Sequence, residues 1–366
     1  MTVSGDKQQK QAEDSAPIAQ AAAMPASSKQ ATTDGATAPL TRWQKIKKFI
    51  RLNMLALAVS SGIAIYFLFH YVTFLAPIKY PIKHLADEYV PWLIFIMLFI
   101  AFSKVEIRRM KPRVWHVILL GIQVLVPCFL AVGMHYWWQG KWDLELMGII
   151  ACVITPTAAA ASVITGKLGG DESSLTTYTI LSNIGAAISI PLIFPLISTS
   201  VSDSFWNEFT EISGRIFPII VLPLFIAQFI RICIKPLNRF IITKLKDVGL
   251  YIWAFTLITV SATAVSNMMN SHQSIGVILN LAFLGLILTA LQFGIGKFVG
   301  HLYGQRISAG QGLGQKNMVF GIWVTYSYLS PAATIAPGCY ILWQNVVNSW
   351  QMWYRETRNI TYTDKM

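Results

Sequence analysis

Two stretches of this 366-residue chain place polar and helix-breaking residues where a run of leucines would be expected. The first is Ile154-Thr155-Pro156-Thr157, followed by Ala158 to Ala161 and Ser162-Val163-Ile164-Thr165-Gly166. Its proline breaks the segment midway, and its small residues let another backbone approach. The second, Gly310-Gln311-Gly312-Leu313-Gly314-Gln315-Lys316-Asn317, carries three glycines and four polar side chains. A kink alone is an ordinary structural feature. Two breaks in corresponding places predict discontinuous helices that face each other near mid-membrane, where unpaired N–H and C=O groups bind ions and carboxylates. Lys316 is the one charge inside an apolar segment and away from its ends, and an intramembrane cation faces a cavity, pairs or titrates. It can also snorkel to the interface. Arg306 already marks that interface, however, and ten residues of helix at 1.5 Å each put Lys316 roughly 15 Å further in. The chemistry expected is a cavity-facing ammonium that offsets a substrate anion or stands in for a bound cation.

Catalysis needs acids, bases or a metal at depth, and the chain offers none. Asp6, Glu13, Asp14 and Asp34 lie in the N-terminal stretch, and the other carboxylates fall in loops or at segment ends. His116, His135, His272 and His301 are at or beyond segment ends, His84 is in a loop and His70 is in the outer third of the first segment. HExxH motifs, paired aspartates and a serine with a plausible base are all absent, so neither enzymatic activity nor a cofactor is expected. Cys128, Cys152, Cys233 and Cys339 have neither metal-site nor disulfide-framework spacing and read as packing residues.

The elements that position these residues follow from composition. Hydrophobic side chains make up 54% of the chain and charged ones 13%, with a mean hydropathy of +0.52. That is too much apolar surface for one water-soluble core. Ten apolar segments are predicted, at 54–76, 89–103, 114–138, 146–166, 173–200, 214–234, 248–269, 274–300, 309–329 and 331–353. The net charge of +12 does not point to nucleic acid, because the basic residues flank apolar segments. With the N-terminus in the cytoplasm, 21 basic residues fall on the inner side and Lys79, Lys83, Lys141 and Arg215 on the outer. This predicts that both termini of an integral, multi-pass plasma- or inner-membrane protein are cytoplasmic. Residues 1–40, rich in Ala, Ser, Thr and Gln with no apolar h-region, are expected to be a disordered tail rather than a signal peptide. Residues 41–53 form a basic collar against lipid head groups. Residues 54–353 form the transporter domain, split into 54–200 and 214–353, and 354–366 a cytoplasmic tail. Five segments per half place the halves in opposite orientations, as inverted repeats require.

These residues resemble the bile acid:sodium symporter family. The similarity lies in Thr155-Pro156-Thr157 through Thr165 with Gly169-Gly170-Asp171, in Gly314-Gln315-Lys316-Asn317, and in Ser330-Pro331, Pro337-Gly338 and Trp343-Gln344-Asn345. The resemblance implies an all-α fold of ten transmembrane helices in two inverted five-helix repeats, with broken, crossing helices 4 and 9. It also implies a sodium site whose ligands, a Ser-Asn pair, two hydroxyls, a Glu and a Gln, fall in that order on Ala161 and Ser162, Leu175 and Thr179, Gly312, and Lys316. A further ligand glutamine falls on Ile122, with Gln123 one position off. Only two hydroxyls, Ser162 and Thr179, remain among the former positions. An ammonium about 4 Å from a bound cation repels it by roughly 4 kcal/mol at an effective dielectric near 20.

The expectation is therefore a secondary active transporter of a small organic anion, embedded in the lipid bilayer. Thr157, Ser162, Thr165, Thr179, Asn183, Gln315, Lys316 and Asn317 line its site at the crossing. It is expected not to use the family's two-sodium site, with a proton or no ion favoured over sodium, and no metal is assigned. One alternative is a sodium-coupled organic-anion symporter with rearranged ligands drawn from Ser182, Asn183, Gln315 and Gln123. An alternative of another class is a transport-inactive membrane sensor or scaffold.

Overall fold

The computed structural model describes residues 42–43, 54–138, 140, 142–198, 204–245, 248–271, 273–358 and 362–364. Contacts divide the chain into residues 1–49 and 50–366. Of the first unit only Arg42 and Trp43 are described, both helical and exposed. The expected tail over 1–40 and the rest of the collar lie outside the described residues. The second unit is helical, with no strand among the described residues.

Its helices are α1 (Met54–Tyr71), α2 (Ala76–Phe102), α3 (Val114–Tyr136), α4 (Asp143–Ile154), α5 (Ala161–Lys167), α6 (Glu172–Ile197), α7 (Phe205–Ile220), α8 (Leu222–Cys233), α9 (Lys235–Lys244), α10 (Val248–Asn270), α11 (Ile275–Leu302), α12 (Arg306–Gly314), α13 (Met318–Tyr328) and α14 (Ile335–Thr357). Among the described residues six segments are long and apolar enough to cross a membrane: 84–102, 114–136, 172–197, 205–233, 251–270 and 275–302. Large apolar side chains such as Phe129, Phe225, Phe229 and Phe298 are exposed on them, as suits lipid rather than water.

Several boundaries differ from those expected. The loop expected at 77–88 is helical: α2 starts at Ala76 and runs through Pro81 and Pro91, and His84 lies within it. A proline removes one backbone bond, and the flanking turns carry the helix past it. Helix α7 begins at Phe205, where Ser204 accepts a hydrogen bond from the Asn207 N–H, so the polar residues 205–213 are its first turns rather than a loop. Ten residues of the next loop form the basic helix α9. Cys233, expected to pack, is exposed.

A cluster around Trp115, Leu119, Leu175, Tyr178, Ala309 and Leu313 joins α3, α6 and α12 around Ala161 of α5. Two glycines of α11 bring α12 close: a Cβ at Gly296 would lie 2.5 Å from the Ala309 carbonyl oxygen, and one at Gly300 would lie 2.3 Å from that of Gln305.

Of the expected C-terminal tail, 354–366, residues 354–358 and 362–364 are described, and they contact the rest of the chain. Helix α14 continues to Thr357, and Asp364 is 5% exposed. Helix α12 has no side-chain cap of its own. The Asp364 carboxylate supplies one, accepting from the Ile307 N–H (3.0 Å), the Ser308 N–H (2.8 Å) and the Ser308 hydroxyl (2.6 Å). The Asp364 N–H donates to the Gly169 carbonyl, so this segment ties the end of α5 to the start of α12. Asp364→Ala is expected to cost about 1 kcal/mol, the usual loss for an N-cap, and to speed amide exchange at Ile307 and Ser308. Unchanged exchange at both amides would show that water replaces the cap.

Candidate functional site

Helix α4 stops at Ile154 because Pro156 cannot continue it and drives Thr155 to an extended conformation (ψ 132°). The chain re-enters a helix only at Ala161. The second interruption is shorter: α12 ends at Gly314, Gln315 is extended, and Asn317 caps α13 by accepting from the Phe320 N–H. The glycines 310, 312 and 314 are inside α12, not in the break as the sequence suggested. Their role is close packing, since a Cβ at Gly314 would lie 2.4 Å from the Phe293 ring.

The two interruptions meet. Thr157 and Lys316 form an isolated antiparallel bridge, in which the Ala158 N–H donates to the Gln315 carbonyl (2.9 Å) and the Asn317 N–H to that of Pro156 (2.8 Å). Of the last four carbonyls of α4, that of Ala151 keeps a backbone partner, the Thr155 N–H (3.3 Å), and the other three lack helical partners. Each finds a donor. The Thr155 hydroxyl donates to Ala151 (2.6 Å), Gln292 Nε2 to Cys152 (3.3 Å), Lys316 Nζ to Val153 (3.0 Å) and Gln123 Nε2 to Ile154 (3.1 Å). The Lys316 ammonium thus caps the negative end of the α4 dipole, a position that favours a cation. Lys316 is 1% exposed. Gln344 holds its backbone, accepting from the Lys316 N–H (2.9 Å) and donating to its carbonyl (3.2 Å).

Of the expected site residues, Thr157, Gln315, Lys316 and Asn317 come together at this crossing. Thr157 donates its hydroxyl proton to the Gly312 carbonyl (2.6 Å) and its N–H to Ser182 Oγ (2.9 Å). Ser182 donates to Gln123 Oε1 (2.6 Å), and Gln123 is fully buried. Of the two candidate positions on α3, then, Gln123 reaches the crossing, while Ile122 packs with the apolar cluster. Ser162 and Thr179 lie to one side, on a cavity of about 400 Å³ between the end of α2, α5 and α6. Asn183, one turn beyond Thr179, donates to the Thr179 carbonyl (2.7 Å). Thr165 lies within α5, where its carbonyl accepts from the Gly170 N–H of the following turn, and not at the crossing. Lys316, expected to face a cavity, does not line this one, and its Nζ donates to the Val153 carbonyl.

Gln292 and Gln344 complete the site and were not among the expected residues. Their signal is an amide inside an apolar segment, which needs a partner in hydrocarbon. The Gly312 position is closed: a Cβ there would lie 2.9 Å from the Tyr178 ring and 3.2 Å from Leu175 Cδ1.

Residues 91–271 match the model of the Sodium Bile acid symporter family. The first interruption lies inside the matched residues and the second outside them. No curated protein matches the chain. Members of that family are transporters and not enzymes.

Proposed function

Because residues 91–271 belong to the sodium bile acid symporter family, we propose that this protein carries a small organic anion across the membrane without the two-sodium site that the resemblance implies. Ten transmembrane segments in inverted halves, 54–200 and 214–353, with both termini cytoplasmic, form the frame. The coupling ion is a proton, or there is none. The observation that carries this reading is the 3.0 Å hydrogen bond from Lys316 Nζ to the Val153 carbonyl. A tethered ammonium already occupies the end of α4, and a sodium ion beside it would meet repulsion of roughly 4 kcal/mol at 4 Å. Leu175 and Gly312 offer no side-chain oxygen.

The substrate enters the cavity beside α5 and α6, which Ser162 and Thr179 line. Lys104 is the cation of its lining. Glu106, also in the lining, is paired with Arg231 (3.4 Å), while Glu172 adds a second carboxylate. A lining of one lysine and two carboxylates, one of them paired, disfavours a small dianion.

The test is uptake of a panel of carboxylates and sulfonates, a bile acid included, into proteoliposomes with sodium replaced by N-methyl-D-glucamine, with and without a pH gradient. Uptake is expected to stay within about twofold on sodium removal. Complete loss defeats the reading.

One observation favours a sodium-coupled alternative. Asn183 Oδ1 and Gln315 Oε1 are buried without a hydrogen-bond donor among the described residues, and hard cations take such oxygens. The same replacement experiment separates the two, because this alternative requires the loss.

A further inference from the structure

We propose that a second pocket, between α11, the start of α12 and α14, is a binding site for a phosphate-type anion and is distinct from the transport site. The pocket has a volume of about 230 Å³, and its lining includes Lys297, Arg306 and Arg355 but no carboxylate. The three cations come from three separate helices. Lys297, on α11, is half-buried and makes no salt bridge among the described residues. Arg306, at the start of α12, lines the same pocket as a like charge. Arg355 spends Nη1 on the carbonyls of Leu168 and Tyr362, which fixes its guanidinium at the wall. Gln351 also lines the pocket, and its buried Nε2 has no acceptor among the described residues.

None of the acids near this region lines the pocket. Asp364 spends its carboxylate on Ile307 and Ser308, and Glu356 is exposed on α14. Like charges held together in a partly desolvated pocket destabilise it, and a lone buried donor adds a further cost. One multivalent anion removes both. It accepts from Lys297, Arg306 and the amide at once, and charge-assisted bonds of this kind are about twice as strong as neutral ones. The volume is below the roughly 300–1,000 Å³ of a drug-sized site, which suits a head group rather than a whole metabolite.

A phosphodiester in the bilayer and free phosphate in water share this chemistry. The position favours the lipid: Trp350 and Tyr354, which line the pocket, are exposed and stacked 5.6 Å apart, as interfacial anchors are. Basic pockets between transmembrane helices hold anionic head groups.

Native mass spectrometry of the full-length protein, delipidated and then offered phosphatidylglycerol or phosphatidylcholine, tests the site. Phosphatidylglycerol is expected to be retained at least tenfold over phosphatidylcholine. Lys297→Gln/Arg306→Gln is expected to lose that preference, and Lys297→Arg/Arg306→Lys to keep it. Arg306→Gln alone, at an exposed position, gives a weaker loss and serves if the double variant does not fold. A parallel thermal-unfolding series with inorganic phosphate separates the sources: a rise in the wild type that the Gln variants lack assigns a soluble phosphate. If neither probe distinguishes wild type from the Gln variants, the proposal is overturned. Binding is read without transport, so either outcome leaves the transport reading as it stands.

Discussion

Lys316→Met is expected to fold as stably as the wild type, or more so, and to lose at least tenfold in substrate flux. The two halves of that result have separate causes. A buried ammonium costs several kcal/mol of desolvation, and methionine has nearly the same length without the charge. Against that recovery stands the Val153 carbonyl, left without its 3.0 Å donor, at about 1–3 kcal/mol. The balance is near zero or stabilising. Flux falls because the end of α4 then carries neither a tethered nor a bound cation, and tenfold corresponds to about 1.4 kcal/mol in the rate-limiting step. Thermal unfolding and proteoliposome uptake on the same preparation report both halves. Wild-type flux in the Met variant would reduce Lys316 to a packing residue. Lys316→Gln restores an amide where the resemblance places one, yet it is expected to show no sodium dependence, since Leu175 and Gly312 still supply no oxygen.

Gly312→Glu is expected to be the most destabilising single change at the crossing. Its Cβ alone would lie 2.9 Å from Tyr178 and 3.2 Å from Leu175, both fully buried. Overpacking of this kind costs typically about 1–3 kcal/mol. The carboxylate adds an unpaired buried charge, worth several kcal/mol more unless it takes up a proton. Gly312→Ala isolates the steric part and is expected to cost about 1–3 kcal/mol in denaturant unfolding. A double-mutant cycle of Gly312→Ala with Tyr178→Leu checks the cause: a coupling of at least about 0.5 kcal/mol ties the cost to the ring. An additive cycle would place the strain elsewhere. This position links to the proposed function, because the space that a ligand carboxylate would need is filled by an aromatic ring.

Much of the crossing was legible in the residues. Pro156, followed by a run of small alanines, marks the first interruption, although Pro81 and Pro91 leave α2 unbroken, and a lysine ten residues past an interfacial arginine must lie deep. The glycines of α12 were misread because glycine has two uses, opening a helix and admitting a neighbour, and spacing does not separate them. Only the placement of Phe293 and Tyr178 against Gly314 and Gly312 shows that the second applies. The helical turns at 77–88 and 205–213 were read as loops because proline and polar residues lower helix propensity, which tertiary packing overrides. The ten-segment topology and its orientation rest on charge alternation and stand as a proposal.

Sequence by itself determined that this chain lives in a bilayer, where it is interrupted, and that an ammonium lies at the second interruption. Those properties are local: apolar run length, a missing N–H, the burial cost of a charge. The partner of that ammonium, the glutamines that share the work of capping α4, and the aspartate that caps α12 from 56 residues away were decided by tertiary structure alone. Orphan backbone groups at a helix end demand donors and acceptors without specifying which residues provide them, and only the three-dimensional path of the chain makes that choice.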